Sequence, residues 1–221
     1  FLPTLITNSL PSLHDRFMEF GTLLDTDLQL AEAALGFHLE GPFISPSDGY
    51  RGAHNVQFVC APDVEAYRKL QTSARKRIAI LTLSPEWEGS GAFIAGVVAE
   101  GTRVSIGHSA ATPAQIGDAV DHGASMVTHF GNAVAQQLPR HPNVMWEQLA
   151  NDELACSLIA DGFHLPQSVL KTVIRMKGEK AFFVSDATSL AGLPAGDYQT
   201  HVGGEVTLTE MGKLHLKGQP S

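Results

Sequence analysis

Carboxylate and imidazole side chains recur where short apolar runs of the sequence end, and together they could bind a metal ion. Glu40, His108 and His129 each close such a run. Two imidazoles and one carboxylate form a common metal-binding set that leaves room for water and suits Zn²⁺ or Fe²⁺. Such an ion lowers the pKa of its bound water and polarises an amide carbonyl, so the pattern indicates metal-assisted hydrolysis.

Asp186 follows a fourth apolar run, and its carboxylate could move the protons that hydrolysis of an amide requires. A carboxylate near the metal can take the proton of the attacking water and return it to the departing amine. Each of these residues alone is commonly a structural residue or a helix cap. Their shared position favours a single site built at the strand ends.

Two neighbouring polar residues leave alternatives open. His38 lies two residues before Glu40, hence on the same face of the strand, and we expect it to support a metal ligand rather than to be one. Asp161 is either a ligand or a turn-former, because Asp-Gly sequences favour turns. We expect the remaining histidines at the surface, namely His14, His122, His141, His201 and His215.

The elements that carry these residues alternate between short β-branched runs and longer amphipathic stretches, as βα units around a parallel sheet do. Strands are predicted near 2–6, 35–40, 78–83, 103–107, 125–129, 155–160 and 181–185. Helices are predicted near 12–33, 63–77, 90–100, 113–122, 144–151 and 166–177. In a parallel barrel the carboxyl ends of the strands share one face, so the strand-end residues would converge there.

The last part of the sequence changes to short alternating runs separated by glycine-rich turns. Tyr198–Val202, Glu205–Thr209 and Lys213–Leu216 read as antiparallel strands. We therefore predict a barrel over residues 1–190 and part of a small β-sandwich over residues 191–221.

Composition excludes several classes of function. The chain has 221 residues, 43% of them hydrophobic, and a net charge of −8, so a globular protein that does not bind nucleic acid is expected. It has two cysteines far apart and no apolar run of membrane-spanning length, and we expect a cytoplasmic protein without a disulfide framework. It opens on Phe1 inside an apolar run, which we interpret as the interior of a longer protein.

Several motifs resemble the N-acetylglucosamine-6-phosphate deacetylase family of the amidohydrolase superfamily, in order and spacing, over about residues 1 to 190. They are Gly36–Phe43, Arg51–His54, Gly107–Ser109, Thr128-His129 with Asn132-Ala133, Asp161–His164 and Ser185–Ala187. The resemblance implies an α/β fold of the (β/α)8 TIM type. It further implies one divalent transition metal on Glu40, His108 and His129, with Asp186 as the general acid–base.

The same resemblance implies how an amino-sugar phosphate is bound. It assigns His54 and His164 to substrate contacts, and the backbone of Asn132 and Ala133 to the phosphate. Arg140 would reach the phosphate in the neighbouring subunit's site, which implies a homodimer. A guanidinium beside free backbone N–H groups is a sound phosphate site on physical grounds as well.

The sequence departs from the family at two points. Phe130-Gly131 stands where the family places an apolar and then an aromatic residue, which removes a side chain from the rim of the pocket. The His-x-His strand that opens such barrels is absent, so we expect an incomplete barrel without its first strand. A deacetylase of another N-acetylhexosamine phosphate or N-acyl compound, a catalytically silent sugar-phosphate-binding protein, and a structural domain without metal are the alternatives.

Overall fold

Seven parallel strands form one sheet in which each strand pairs with the next along the chain. The computed structural model describes residues 1–200 and 204–218. The strands are β1 Thr4–Ile6, β2 Phe37–Glu40, β3 Ile78–Leu83, β4 Arg103–Ile106, β5 Ala124–Val127, β6 Ala155–Ile159 and β7 Ala181–Val184. Parallel strands in chain order with intervening helices are the arrangement of a TIM-type barrel, which confirms the predicted fold class with seven strands in place of eight.

Helices connect the strands close to where the sequence predicts them. They are α1 Leu10–Thr26, α2 Leu28–Ala33, α3 Val64–Ser73, α4 Ser90–Ala99, α5 Pro113–Asp121, α6 Val144–Ala150 and α7 Gln167–Lys177, with 3₁₀ turns at Val56–Phe58 and Gly178–Lys180. Among the helices of the described residues, none combines the length and the apolar character that crossing a bilayer requires.

The prediction of one helix over residues 12–33 is wrong at Asp27. The backbone there is extended, with φ −121° and ψ 102°, and the Asp27 carboxylate accepts a hydrogen bond from the Leu30 amide at 3.0 Å. Asp27 therefore caps the start of α2 and separates it from α1, as Asp commonly does at a helix N-terminus. The helix predicted over 63–77 likewise ends early, at Ser73, because Arg75 and Lys76 adopt left-handed backbone.

The two faces of the sheet differ in polarity. Phe37 and Leu39 of β2 are fully buried against the helices, and the Phe37 ring lies 5.3 Å from that of Phe17 in α1. The alternate residues of β2, His38 and Glu40, face the inside of the barrel. Hydroxyl groups surround them: Thr82 Oγ1 lies 2.7 Å from His38 Nε2. The barrel interior below the strand ends is therefore polar.

Three short strands after the barrel form a separate antiparallel sheet. They are β8 Gly196–Thr200, β9 Gly204–Leu208 and β10 Leu214–Leu216, with β9 in the middle. Val206 and Leu208 of β9 form a small buried cluster with Leu190. Residues 201 and 202 of the predicted strand, which include His201, lie outside the described residues. The division of the chain into two domains near residue 190 stays a prediction.

Candidate metal centre

Glu40, His108 and His129 come together at the carboxyl ends of β2, β4 and β5. Glu40 Oε1 lies 2.8 Å from His108 Nε2 and 3.0 Å from His129 Nε2, and the two Nε2 atoms are 3.1 Å apart. The three residues are between 4% and 7% exposed. Three side chains separated by up to 89 positions in the sequence thus form one buried triangle of nitrogen and oxygen atoms.

The hydrogen bonds of His108 show which of its two ring nitrogens carries a proton. His108 Nδ1 lies 3.2 Å from the Tyr50 carbonyl oxygen and 3.1 Å from that of Arg51. Carbonyl oxygens only accept hydrogen bonds, so Nδ1 carries the proton. In the neutral ring Nε2 then points its lone pair at the Glu40 carboxylate, which is also an acceptor. A positive charge makes this contact favourable, either a second proton on the imidazole or a metal ion between the two atoms.

A divalent metal ion fits the triangle. Ligands at about 2.0–2.2 Å from tetrahedral Zn²⁺ are about 3.3–3.6 Å apart, so the three donor atoms are within roughly half an ångström of ligand positions. A backbone carbonyl that fixes the far nitrogen of a histidine, as Tyr50 and Arg51 do for His108, is the usual support of a metal-bound imidazole. Water can complete such a three-ligand site.

The electrostatics of the triangle also favour a cation. Burial acts to raise the pKa of Glu40, but hydrogen bonds from His108 and His129 hold that pKa well below its usual range. Burial acts to lower the pKa of His129, yet the Glu40 carboxylate raises it above the ordinary value. The cluster therefore keeps its carboxylate ionised, and that negative charge attracts a positive charge, either a proton on His129 or a metal ion in its place.

His54 supplies a fourth donor that the strand-end pattern misses. It lies in the loop after β2, and its Nδ1 is 2.7 Å from Thr7 Oγ1, which donates to the Glu40 carbonyl oxygen. Its proton therefore lies on Nδ1 and its Nε2 is unprotonated. Donor atoms of Glu40, His54 and His108 all lie within 4.8 Å of one another. A residue predicted as a substrate contact is thus also within reach of a metal.

Several predicted site residues share an unusual backbone conformation. His108, His129 and Asp186 have φ of 48°, 33° and 47°, and Ala133 has φ of 51°, in a region that non-glycine residues rarely occupy. Strain of this kind concentrates at functional sites because surrounding contacts must hold it. At His129 a hydrogen bond of 2.7 Å from its amide to Ser157 Oγ is one such contact.

Gly107 allows the strands to approach closely beneath the triangle. A Cβ atom at this position would lie 2.7 Å from Thr128 Cβ and 2.8 Å from Thr82 Cγ2, distances that real Cβ atoms do not show. The glycine before His108 is therefore required by packing.

Asp186 lies close enough to the triangle to act on its charges, and His164 belongs to the loop after β6. Both are exposed, and the negative charge of Asp186 contributes to raising the pKa of His129. Asp161 accepts hydrogen bonds from the amides of Phe163 and His164 at 2.8 and 3.0 Å, and its other oxygen lies 2.7 Å from His164 Nδ1. Of the two interpretations of Asp161, the turn-former agrees with the structure, and the turn also orients His164.

The residues predicted to bind phosphate divide into two groups. Asn132 and Ala133 line a small cleft together with His108, and the side-chain amide nitrogen of Asn132 is buried without a hydrogen-bond partner among the described residues. Arg140 is exposed in the loop before α6 and forms no ion pair in the part of the chain described. Asn132 and Ala133 thus share a cleft with His108 of the metal triangle, and Arg140 is not among the residues that line this cleft.

His38 and Gly131, two positions noted in the sequence, have identified neighbours in the structure. His38 Nδ1 is 3.3 Å from Thr4 Oγ1, so this residue contacts hydroxyl groups of neighbouring strands rather than a ligand of the triangle. Gly131 has φ of 81°, and a Cβ there would lie 3.0 Å from Leu165 Cδ2. An aromatic residue at this position would require a different path of the loop.

Folding stability should fall with acid through His54. Burial, followed by the charge of His108, lowers the pKa of His54 to about 3. Since an unfolded histidine takes up its proton near pH 6.5, the stability that neutral His54 contributes is present at neutral pH and is lost as the pH falls below 6.5. The slope is at most about 1.4 kcal/mol per pH unit.

Chemical unfolding of the full-length protein in the presence of a chelator, between neutral pH and about pH 4, measures this slope. The variant His54→Gln keeps a donor for Thr7 and should show a flatter dependence than wild type. Equal slopes in the two proteins would contradict the prediction.

Known proteins resemble the chain over nearly its whole length. No family model matches it. It is 34% identical over 218 residues to the N-acetylglucosamine-6-phosphate deacetylase of Lysinibacillus sphaericus, an alignment that covers 98% of this chain and 55% of that protein. It is 29% identical over 208 residues to the N-acetylgalactosamine-6-phosphate deacetylase of Escherichia coli O157:H7, covering 94% of this chain and 54% of that protein.

Solved structures give the same result for the fold. The N-acetylglucosamine-6-phosphate deacetylase from Thermotoga maritima has a TM-score of 0.84 at 28% identity, covering 98% of this chain and 57% of its own. The Mycobacterium smegmatis enzyme has a TM-score of 0.88 at 24% identity, covering 100% of this chain and 56% of its own, and supports the fold alone. The chain spans about half the length of the relatives it matches.

Proposed function

The chain is a relative of the N-acetylglucosamine-6-phosphate deacetylases over about half of their length, and from this premise we propose that it carries most of a metal-dependent deacetylase site. The resemblance that the motifs predicted is thereby confirmed. The proposed reaction is hydrolysis of the acetamide of N-acetylglucosamine 6-phosphate to glucosamine 6-phosphate and acetate. The observation that carries it is the buried triangle of Glu40, His108 and His129, whose donor atoms lie 2.8 to 3.1 Å from one another.

In this proposal Glu40, His108 and His129 would hold one divalent ion, Zn²⁺ or Fe²⁺, which when bound activates water and polarises the amide carbonyl. Asp186 takes the proton of the attacking water at its carboxylate and returns it to the amine nitrogen as the C–N bond breaks. His164, whose ring is oriented by a contact of 2.7 Å between its Nδ1 and Asp161 Oδ2, is proposed to contact the substrate. His54 contacts the substrate.

The phosphate of the substrate is proposed to bind at the backbone N–H groups of Asn132 and Ala133, with the guanidinium of Arg140. The left-handed turn at Ala133 supports the first part, because it brings successive amides to one side. The exposure of Arg140 supports its contribution to a neighbouring subunit, and hence a homodimer. Cys60 and Cys156 are free thiols, which supports the proposed location in a reducing cytoplasm.

A second substrate is favoured by two observations. The chain also resembles an N-acetylgalactosamine-6-phosphate deacetylase, and Gly131 leaves the pocket rim without an aromatic side chain. The two sugars differ only in the orientation of the hydroxyl on C4. Deacetylation of N-acetylgalactosamine 6-phosphate is therefore the alternative activity.

Acetate release by the full-length protein from both sugar phosphates, together with elemental analysis of bound metal, tests these proposals. About one transition metal per chain with a higher kcat/KM on N-acetylglucosamine 6-phosphate would support the proposed reaction. A preference for the galactosamine substrate would support the alternative. Bound metal without acetate release from either compound would support the metal site and reject the proposed substrate class. An active protein without metal would reject the mechanism.

Replacing Arg140 by Ala should raise KM for the phosphorylated substrate by about 10- to 150-fold and leave kcat within a few-fold. Hydrogen bonds to charged groups contribute about 1.5–3 kcal/mol each, and this one is made equally before and during the reaction. Steady-state kinetics of the full-length protein measures the effect.

The matched control for this prediction is Arg175→Ala, which removes an exposed arginine from α7 and should leave KM unchanged. Unphosphorylated N-acetylglucosamine provides a second control, because its KM should not depend on Arg140. An equal rise of KM for both sugars in Arg140→Ala would contradict a role in binding phosphate.

A further inference from the structure

One carboxylate, that of Glu86, joins three neighbouring loops at the rim of the barrel, and we propose that Glu86 positions the metal ligands Glu40 and His108. Glu86 follows β3 by three residues. It lies outside the metal triangle and has no part in the reaction proposed above. Its role rests on the metal site of the proposed function.

The two oxygens of Glu86 accept hydrogen bonds from all three loops. Oε1 accepts from Ser45 Oγ at 3.0 Å, in the loop that follows Glu40. Oε2 accepts from Ser84 Oγ at 2.7 Å, in its own loop, and from the backbone amide of Ala110 at 2.8 Å, two residues after His108. The carboxylate therefore connects the loop of one ligand to the loop of the other across the strand between them.

Backbone hydrogen bonds complete the connection between the two ligand loops. The Ser45 amide donates to the His108 carbonyl oxygen at 2.8 Å, and the Ser84 amide donates to the Phe43 carbonyl oxygen at 2.9 Å. The indole of Trp87 donates to the Ile44 carbonyl oxygen at 3.0 Å. A shift of Glu86 would thus be transmitted directly to the peptide that carries His108.

The groups that bind the Glu86 carboxylate are buried or nearly so. Ser45 and Ser84 have no exposed surface. The main chain at Glu86 is also fixed in place, because the side-chain amide of Gln115 in α5 donates to the backbone carbonyl oxygen of Glu86 at 3.2 Å. Buried donors in such a network require their acceptor, so the three loops depend on this one carboxylate to keep their relative positions.

The chemistry of the contacts predicts which substitutions preserve the network. A glutamine at position 86 can keep its carbonyl oxygen toward Ser84 and the Ala110 amide. Its amide group then faces the Ser45 hydroxyl, which can turn to accept. An alanine removes both acceptor oxygens. The Ala110 amide then loses its acceptor, the Ser84 hydroxyl keeps only Ser109 Oγ at 2.8 Å, and the Ser45 hydroxyl keeps only the Ser47 amide as a partner. Glu86→Gln should therefore restore what Glu86→Ala loses.

The test measures the dissociation constant of Zn²⁺ from the full-length protein, by competition with a chromophoric chelator, for wild type, Glu86→Ala and Glu86→Gln. Glu88→Ala serves as the control, since it removes an equal charge from an exposed position two residues away. Glu86→Ala should weaken Zn²⁺ binding about 10- to 100-fold, as loss of a residue that orients ligands typically does. The Zn²⁺ dissociation constant of Glu86→Gln should stay within a few-fold of the wild-type value, and that of Glu88→Ala should equal the wild-type value.

A wild-type Zn²⁺ affinity in Glu86→Ala, even with a lowered melting temperature, would show a merely structural residue and overturn the proposal. If Glu86→Ala does not yield folded protein, Ser45→Ala, which removes one donor to the same carboxylate, is measured in its place. Weakened Zn²⁺ binding in Ser45→Ala would support the proposal and unchanged binding would overturn it. Wild-type protein that binds no metal would reject the proposed function and the role of Glu86 together.

Discussion

Glu40→Gln should abolish both metal binding and acetate release in the full-length protein. The carboxylate supplies the negative charge of the donor set, and the neutral amide of glutamine binds a divalent ion far more weakly. Because residues that only orient ligands change affinity by about 10- to 100-fold, loss of a ligand should exceed about 100-fold in both metal affinity and kcat/KM. Elemental analysis and acetate release in the same samples measure the two losses.

Thermodynamic linkage provides an independent readout of the same variant. A ligand at 100 times its dissociation constant stabilises a folded protein by about 2.7 kcal/mol, so added Zn²⁺ should raise the melting temperature of wild type. The melting temperature of Glu40→Gln should not respond. Glu88→Gln is the matched control and should behave as wild type. A Zn²⁺ response in Glu40→Gln equal to that of wild type would show that Glu40 is not a ligand.

Asp186→Asn should separate chemistry from metal binding. The variant keeps the shape of the side chain, and asparagine tolerates the left-handed backbone at this position, where φ is 47°. It cannot accept a proton, so the proposed acid–base role predicts a fall in kcat of about 10²- to 10⁴-fold with bound metal unchanged. Steady-state kinetics together with metal content of the full-length protein tests the prediction.

The role of Asp186 is decided by comparing the loss of activity with the loss of bound metal. Metal lost in parallel with activity would make Asp186 a ligand, and activity retained would remove it from the mechanism. Asp152→Asn changes an exposed aspartate in the turn before β6 and should affect neither quantity. The same pair of measurements therefore distinguishes Asp186 from Glu40, whose substitution removes both.

The strand ends were predictable from sequence because of a simple physical rule. Strands of a parallel sheet are mostly buried and read as short, largely apolar runs, so the ionisable residues that follow these runs mark the strand ends. That rule located Glu40, His108 and His129, which the structure brings within 3.1 Å of one another. It works here because each ligand directly terminates its strand or follows it within two residues.

Features that depend on the folding back of loops were not predictable in the same way. His54 meets Thr7 across 47 positions of the sequence, and no local pattern marks that contact. Glu86 lies in a proline-containing loop whose sequence gives no sign that it joins two other loops. The break of the first helix at Asp27 has a similar cause, since one aspartate within an amphipathic pattern is compatible with a continuous helix until its side chain caps the next segment.

The left-handed backbone at His108, His129 and Asp186 restricts how this site can be redesigned. Glycine, asparagine and aspartate occupy that conformation at low cost, whereas β-branched residues are strongly disfavoured there. A library that samples all residue types at these positions would therefore return a few permitted side chains whatever the selected activity. New donor sets for another metal are best sought with aspartate and asparagine at these strand ends, and with β-branched donors such as threonine placed elsewhere on the rim.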